Sequence, residues 1–292
     1  MSAQDARDAP EIASDLPAPR PKEPVPPEPL ANVPLLARAG DALAFEWTKL
    51  RSVRSNHLTL LFAAVATLGS TAIVAQAATA GPAPRPGGPI SGLAGSFLGY
   101  AEYGILPLSV LGVLVFTSEY ATGLIRTTFV AVPARRLVLA AKAAVAGAAA
   151  LIIGEGLAFA CFLLAQGILA GRPGGGLSLG GSGVLRAVLA AGLFMPACVL
   201  VGVGFGAVVK STAGAIAATV GVIYLLAALC LALPHPWNTR LGRFTLPFAA
   251  YQLVTTHPSP SLLPAGWSLL ALVAWPAVIL AAGGLLLTRS DL

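Results

Sequence analysis

Six apolar segments, each long enough to cross a lipid bilayer, dominate this sequence. A helix needs about 20 apolar residues to cross the hydrocarbon core of a membrane. The six windows cover about 58–79, 98–118, 143–169, 184–208, 212–233 and 267–288. Only 10% of the 292 residues are charged, whereas soluble domains carry about 25%. The sequence therefore predicts an all-α membrane protein with six transmembrane helices.

Two further segments precede the first span. Residues 1–34 contain nine prolines and no aromatic residue. Because such a segment buries too little apolar area to offset the entropy of ordering, we expect a disordered, Pro-rich cytoplasmic tail. Residues 35–56 place four large apolar residues on one side of a helix: Leu36, Leu43, Trp47 and Leu50. This pattern predicts an amphipathic helix at the membrane interface, and residues 35–292 are expected to form one domain.

The distribution of Lys and Arg predicts the orientation in the membrane. Cytoplasmic connections of membrane proteins carry an excess of these residues. Thirteen of the 18 lie before the first span, in the 2–3 and 4–5 connections or after the last span, and five lie on the opposite side, in the other three connections or at the start of the fourth span. Both termini are therefore expected to be cytoplasmic, with Lys210 in a tight 4–5 turn. The three outer connections are rich in Gly and Pro, which predicts irregular loops.

Motifs for chemistry are missing from the sequence. There is no Gly-x-x-x-x-Gly-Lys-Ser/Thr segment to hold nucleotide phosphates, and no Gly-x-Ser-x-Gly segment typical of hydrolases. The histidines and cysteines have no metal-ligand spacing. We expect neither enzymatic activity nor a bound cofactor or metal in this chain. Nucleic-acid binding is not expected either, because the basic residues are spread between apolar segments.

The connection between the second and third spans, residues 117–142, predicts a docking surface for a cytosolic partner. It is basic and its helical pattern is interrupted twice, by a glycine and by a proline. The candidate coupling residues are Glu119, Gly123, Arg126, Pro133, Arg135, Arg136 and Lys142. The arginines can pair with acidic side chains of a partner or with lipid phosphate, and they also contribute to the topology signal.

An acidic residue lies near the centre of the third span. A charged group at this depth costs about 3 kcal/mol on insertion scales, so Glu155 should face protein or a water-filled cavity. Two interpretations remain open. Glu155 lies on the path of a substrate or proton, or it is a protonated carboxyl that bonds to a neighbouring helix, with Gly154 and Gly156 permitting close approach.

Small residues and prolines are also patterned within the spans. Gly202 and Gly206 are four residues apart in span four, a spacing that lets helix backbones approach each other. Pro196 and Pro276 are expected to kink their spans.

Several segments resemble the permease subunits of ABC transporters of the type-2 exporter superfamily. They are EYATGLIRTT at 119–128, PARR at 133–136, AK at 141–142, FEWTKLRS at 45–52, KSTAGAIA at 210–217 and TRSD at 288–291. Together they extend the resemblance over about 35–292.

The resemblance implies a bacterial plasma-membrane protein that exports an apolar or amphipathic compound. Two six-helix subunits would pair, with a homodimer as the default and a heterodimer open. Each would dock through 119–142, beside the 35–56 helix, on a separately encoded ATPase that holds ATP and Mg²⁺. Two alternatives remain: a proton-coupled secondary transporter that uses Glu155, and a non-transporting membrane scaffold or self-protection protein.

Overall fold

Six helices that are long and apolar enough to cross a membrane make up most of the fold. The computed structural model describes residues 35–80, 104–125, 134–170, 177–255 and 263–289. It is 88% helical, with no strand among these residues. The expectation of an all-α protein with six spans is thus confirmed, while the predicted disordered tail at 1–34 lies outside the described residues.

Nine helices are described in this part of the chain. In chain order they are α1 Leu35–Ser52, α2 Arg54–Ala80, α3 Ile105–Thr122, α4 Arg135–Leu169, α5 Val184–Val209, α6 Thr212–Ala232, α7 Trp237–Gly242, α8 Leu246–Val254 and α9 Ala265–Arg289. The six candidate spans are α2 to α6 and α9. All six belong to the compact unit Ala39–Leu292. Within α6, residues Gly221–Leu225 form a π-helical turn.

Helix α5 is the most buried of the spans. About 78% of its apolar segment is buried, against 28% in α2, α6 and α9. Small residues on α5 allow this packing, because neighbouring backbones lie directly against them. A methyl group added at Gly202 would lie 2.3 Å from the carbonyl oxygen of Ser109 in α3, and one at Gly204 would lie 2.7 Å from Ile279 Cγ2 in α9.

Helix α4 begins earlier than the sequence predicts. It starts at Arg135 rather than near residue 143, and its 35 residues correspond to about 52 Å. Since the hydrocarbon core is about 30 Å thick, α4 is long enough to continue beyond the bilayer. The extra turns include Lys142, whose side chain is fully buried and ion-paired. Because its charge is compensated inside the protein, α4 can continue past this lysine.

Helix α1 is shorter than expected and packs on an unexpected side. It ends at Ser52, and α2 starts at Arg54. Among the residues of α1 whose burial is described, 39–52, Glu46 is buried, whereas Leu43 and Trp47 are exposed. Leu43 and Trp47 of the predicted apolar side are therefore free to contact lipid, whereas Leu50 is half-buried and the acidic side chain of Glu46 faces the protein.

The connection between α6 and α9 is not the irregular loop that its prolines suggested. It contains α7 and α8, and α8 buries apolar residues at helical spacing: Leu246, Ala249, Ala250, Leu253 and Val254. Pro247 lies in the first turn of α8, where its missing N–H is not needed. The Trp275 Nε1–H of α9 donates to the Phe244 carbonyl at 2.9 Å. This expectation was wrong because residues 246–254 carry apolar side chains with a helical period of 3.6 residues. The other two connections expected to be irregular fall at 81–103 and 171–176, outside the described residues.

Candidate functional site

Four charged side chains meet where α1, α3 and α4 come together, and we call them the charge cluster: Glu46, Lys49, Glu119 and Lys142. Lys142 Nζ donates to Glu46 Oε1 at 2.7 Å and to Glu119 Oε1 at 2.5 Å. Lys49 Nζ also donates to Glu119 Oε1. The charges alternate in sign along the chain of contacts and sum to zero.

The charge cluster is largely shielded from solvent. The exposed fraction of the side chain is 0% for Lys142, 2% for Glu119 and 6% for Glu46. Only Lys49, at 28%, reaches the surface. Burying an ion costs several kcal/mol unless close partners of opposite charge compensate. The three buried charges therefore depend on one another.

Local sequence explains how the cluster forms. Glu119 lies in the last turn of α3 and Lys142 in the second turn of α4. Glu46 and Lys49 are three residues apart, which puts them on neighbouring positions of one side of α1. Among the described residues no helix packs closely along the length of α1, and the ion pairs link α1 to α3 and α4. Sequence analysis placed Glu119 and Lys142 in the site but missed Glu46 and Lys49.

A cavity of about 320 Å³ lies beside the charge cluster. Its lining is mainly apolar and includes Leu50, Val53, Leu114, Val115, Val145 and Ala146. All four members of the charge cluster also line it. Glu119 Oε2 is buried without a hydrogen-bond partner, because both lysines bind the other oxygen of this carboxylate.

Gly123 ends α3 as the sequence predicts. Its φ of 73° is in the left-handed region, and its N–H donates to the Tyr120 carbonyl at 3.3 Å. Glycine adopts this conformation without the steric penalty that a Cβ brings, and it commonly terminates helices. Leu124 and Ile125 are helical again. Arg126 and Pro133 lie outside the described residues.

The two arginines at the start of α4 have different environments. Arg135 Nη1 donates to the Leu287 carbonyl at 2.9 Å, in the last turns of α9. A cation at this position also interacts favourably with the helix dipole. Arg136 is exposed. Of the predicted coupling residues that are described, Arg136 and Gly123 are therefore accessible, whereas Glu119 and Lys142 act inside the bundle by positioning helices.

Glu155 packs between α4 and α5. A methyl group added at Gly192 of α5 would lie 2.3 Å from the Glu155 carboxyl carbon, so this glycine makes the room for the side chain. Gly156 faces open space instead. Glu155 Oε2 is buried without a hydrogen-bond partner, and none of the ion pairs formed by the described residues involves Glu155. No sequence pattern indicates that Gly192 faces this carboxyl.

Comparisons with known proteins return no match: no family model, no curated protein and no solved structure matches the chain. Among the residues that the structure describes, no group of three or more His, Cys, Asp or Glu side chains could hold a metal ion. Cys161, Cys198 and Cys230 are buried and free. The charge cluster and the two helix ends that flank residues 126–133 are therefore the structural features from which a function can be inferred.

Proposed function

We propose that this chain is the membrane-spanning permease subunit of an ATP-driven ABC exporter, located in a bacterial cell membrane with both termini in the cytoplasm. The substrate class is an apolar or amphipathic compound. ATP and Mg²⁺ bind to a separate ATPase subunit, and a second permease subunit, by default an identical copy, completes the pathway.

Residues 123–136 are called the connector here, and the observation that carries this proposal is that the helix ends on both sides of it are tied to the bundle. On one side, Glu119 near the end of α3 is paired with Lys142 of α4. On the other side, Arg135 bonds to the Leu287 carbonyl of α9. A partner that displaces the connector would therefore move several helices together as a rigid body, which is one of the recurrent forms of switching transition.

Through the charge cluster, a displacement of the connector would also move α1. Lys142 bonds to both Glu46 of α1 and Glu119 of α3, so α1, α3 and α4 share one buried contact. An ATP-driven permease needs such a link between its docking surface and its spans. A scaffold that only holds a partner at the membrane has no such requirement.

The exposed charge of the connector suits an acidic partner surface. Arg136 is accessible to solvent, and arginine forms bidentate pairs with carboxylates at interfaces. Arg135 is engaged with α9, so its contribution is to hold the connector in place. The docking residues to be tested are therefore Arg126 and Arg136.

Affinity purification from the native membrane in mild detergent, followed by mass spectrometry, tests the proposal. We expect the wild-type chain to co-elute with a protein that carries a phosphate-binding loop. The Arg126→Glu/Arg136→Glu variant should retain roughly tenfold less of it, since reversed charges at an interface cost about this much affinity. Arg135 is left unchanged, because its loss would also disturb α9.

Arg240→Glu is the matched control. Arg240 is an exposed arginine of α7, on the side that the topology assigns to the exterior, and its reversal should leave the partner bound. Recovery of the wild-type chain with no nucleotide-binding protein would contradict the proposal. The second candidate, a proton-coupled transporter, would then gain weight from the buried, unpartnered Oε2 of Glu155.

A further inference from the structure

We propose that the cavity beside the charge cluster binds an amphipathic monocation, whose ammonium group takes the place of Lys49 at the Glu119 carboxylate. The inference rests on this cavity and its lining, and it does not depend on the proposed permease function.

Charge balance determines the sign of the charge that the ligand carries. The cluster is neutral only while Lys49 pairs with Glu119. When Lys49 leaves, Glu46, Glu119 and Lys142 together carry one net negative charge. A single positive charge restores neutrality, whereas an anion would face two buried carboxylates, which is strongly unfavourable in a region of low dielectric constant.

Lys49 is the member of the cluster that can be exchanged. Its side chain is 28% exposed, and a flexible four-carbon stem lets the ammonium group move into water. Lys142 cannot be exchanged in this way, because its side chain is fully buried and bonded to two carboxylates. Lys49 therefore behaves as an internal competitor for the position that the ligand takes.

The unsatisfied oxygen of Glu119 favours a ligand with several N–H donors. Both lysines donate to Oε1, and Oε2 has no partner although Glu119 is only 1% exposed. A buried acceptor without a hydrogen bond costs about 1–3 kcal/mol. A primary ammonium that is not tethered to α1 can settle between the two oxygens and donate to both.

The walls of the cavity suit the apolar part of such a molecule. Leu114 and Val115 of α3, Val145 and Ala146 of α4 and Leu50 of α1 all contribute apolar side chains to the lining. The volume of about 320 Å³ is at the lower end of the range for small-molecule sites, about 300–1,000 Å³. The geometry thus points to a compact apolar body that carries one ammonium group.

Fluorescence titration of the purified chain in lipid nanodiscs, without ATPase or nucleotide, tests the inference with dansylcadaverine, an aromatic probe with a primary ammonium group. We expect saturable binding. Lys49→Met should tighten it about fivefold, since it removes a competing, partly exposed ion pair. Ser118→Phe should abolish binding by filling the cavity, which Ser118 lines. The size control is Ala140→Phe, at an exposed position of α4 outside the lining.

Three results would overturn the inference. One is equal binding of a probe of the same length that ends in a hydroxyl group, or stronger binding of one that ends in a carboxylate. The second is that the Lys49→Met variant binds dansylcadaverine no more tightly than the wild type does. The third is that the Ser118→Phe variant binds dansylcadaverine as tightly as the wild type does. None of them bears on co-purification with an ATPase, so the two proposals fail independently.

Discussion

Replacing Lys142 with methionine is expected to lower the free energy of unfolding by about 3–5 kcal/mol, the loss typical of a buried ion that leaves its partners uncompensated. Glu46 and Glu119 would remain buried, with Lys49 alone to balance two negative charges. Methionine has a similar length and is apolar, so the packing around α4 is kept. Unfolding in mixed detergent micelles, followed by circular dichroism as the denaturing detergent is increased, measures the loss.

Two further variants separate the charge effect from a packing effect. Lys49→Met should cost about 1 kcal/mol or less, because Lys49 is partly exposed and its pair is screened by water. Lys142→Met combined with Glu119→Gln should recover part of the loss, since Glu46 and Lys49 then balance each other. If Lys142→Met were no more damaging than Lys49→Met, the charge cluster would not hold α1, α3 and α4 together.

Gly202→Ala is expected to destabilise the bundle by about 1–3 kcal/mol, the usual cost of forcing extra volume into a packed interior. The added methyl would lie 2.3 Å from the Ser109 carbonyl oxygen and 3.0 Å from the Val113 nitrogen. Both atoms belong to the backbone of α3, so the two helices have to separate. The same micelle titration reports the change.

Gly156→Ala is the matched control for this substitution. Gly156 also lies within a long spanning helix, but a methyl group there meets nothing within 4 Å. Its replacement should be neutral or should stabilise the protein by up to about 1 kcal/mol, the helix-propensity gain of alanine over glycine. Equal effects of the two variants would mean that α3 and α5 are not in backbone contact.

Much of the architecture could be predicted because the membrane leaves a chain few options. A backbone in lipid has to satisfy its own hydrogen bonds, so a long apolar segment is a helix. The residues at which the spanning helices begin and end were harder to predict. Hydropathy alone predicts that the spanning helix begins after Lys142, because a lysine usually marks the end of an apolar segment. The helix instead begins at Arg135, since Lys142 is ion-paired inside the protein.

Features that depend on a short stretch of sequence were predictable, in the candidate site and elsewhere. Gly123 terminates α3 as expected, and Lys210 forms the tight turn between α5 and α6 with a φ of 57°. Gly202 followed from the four-residue spacing of small residues. Each of these features depends on a few neighbouring residues, which the sequence displays directly.

The charge cluster depends instead on how helices are rotated about their axes. The apolar residues beside Glu46 and Lys49 predict an interfacial helix in contact with lipid. The structure places Glu46 against Lys142, which is 96 residues away in the chain. The available signal was the balance of two acids and two lysines at the same end of three adjacent helices, and it becomes decisive only once their packing is known.

Photo-crosslinking in native membranes tests the docking surface most directly. A benzoylphenylalanine at position 136, in the exposed start of α4, is expected to capture a chain with a phosphate-binding loop on illumination. The same residue at position 240, in α7, should not capture it. Capture from position 240 alone, or no capture from position 136 while the nucleotide-binding chain is present in the membrane, would contradict the account of residues 123–136 as the connector to an ATPase.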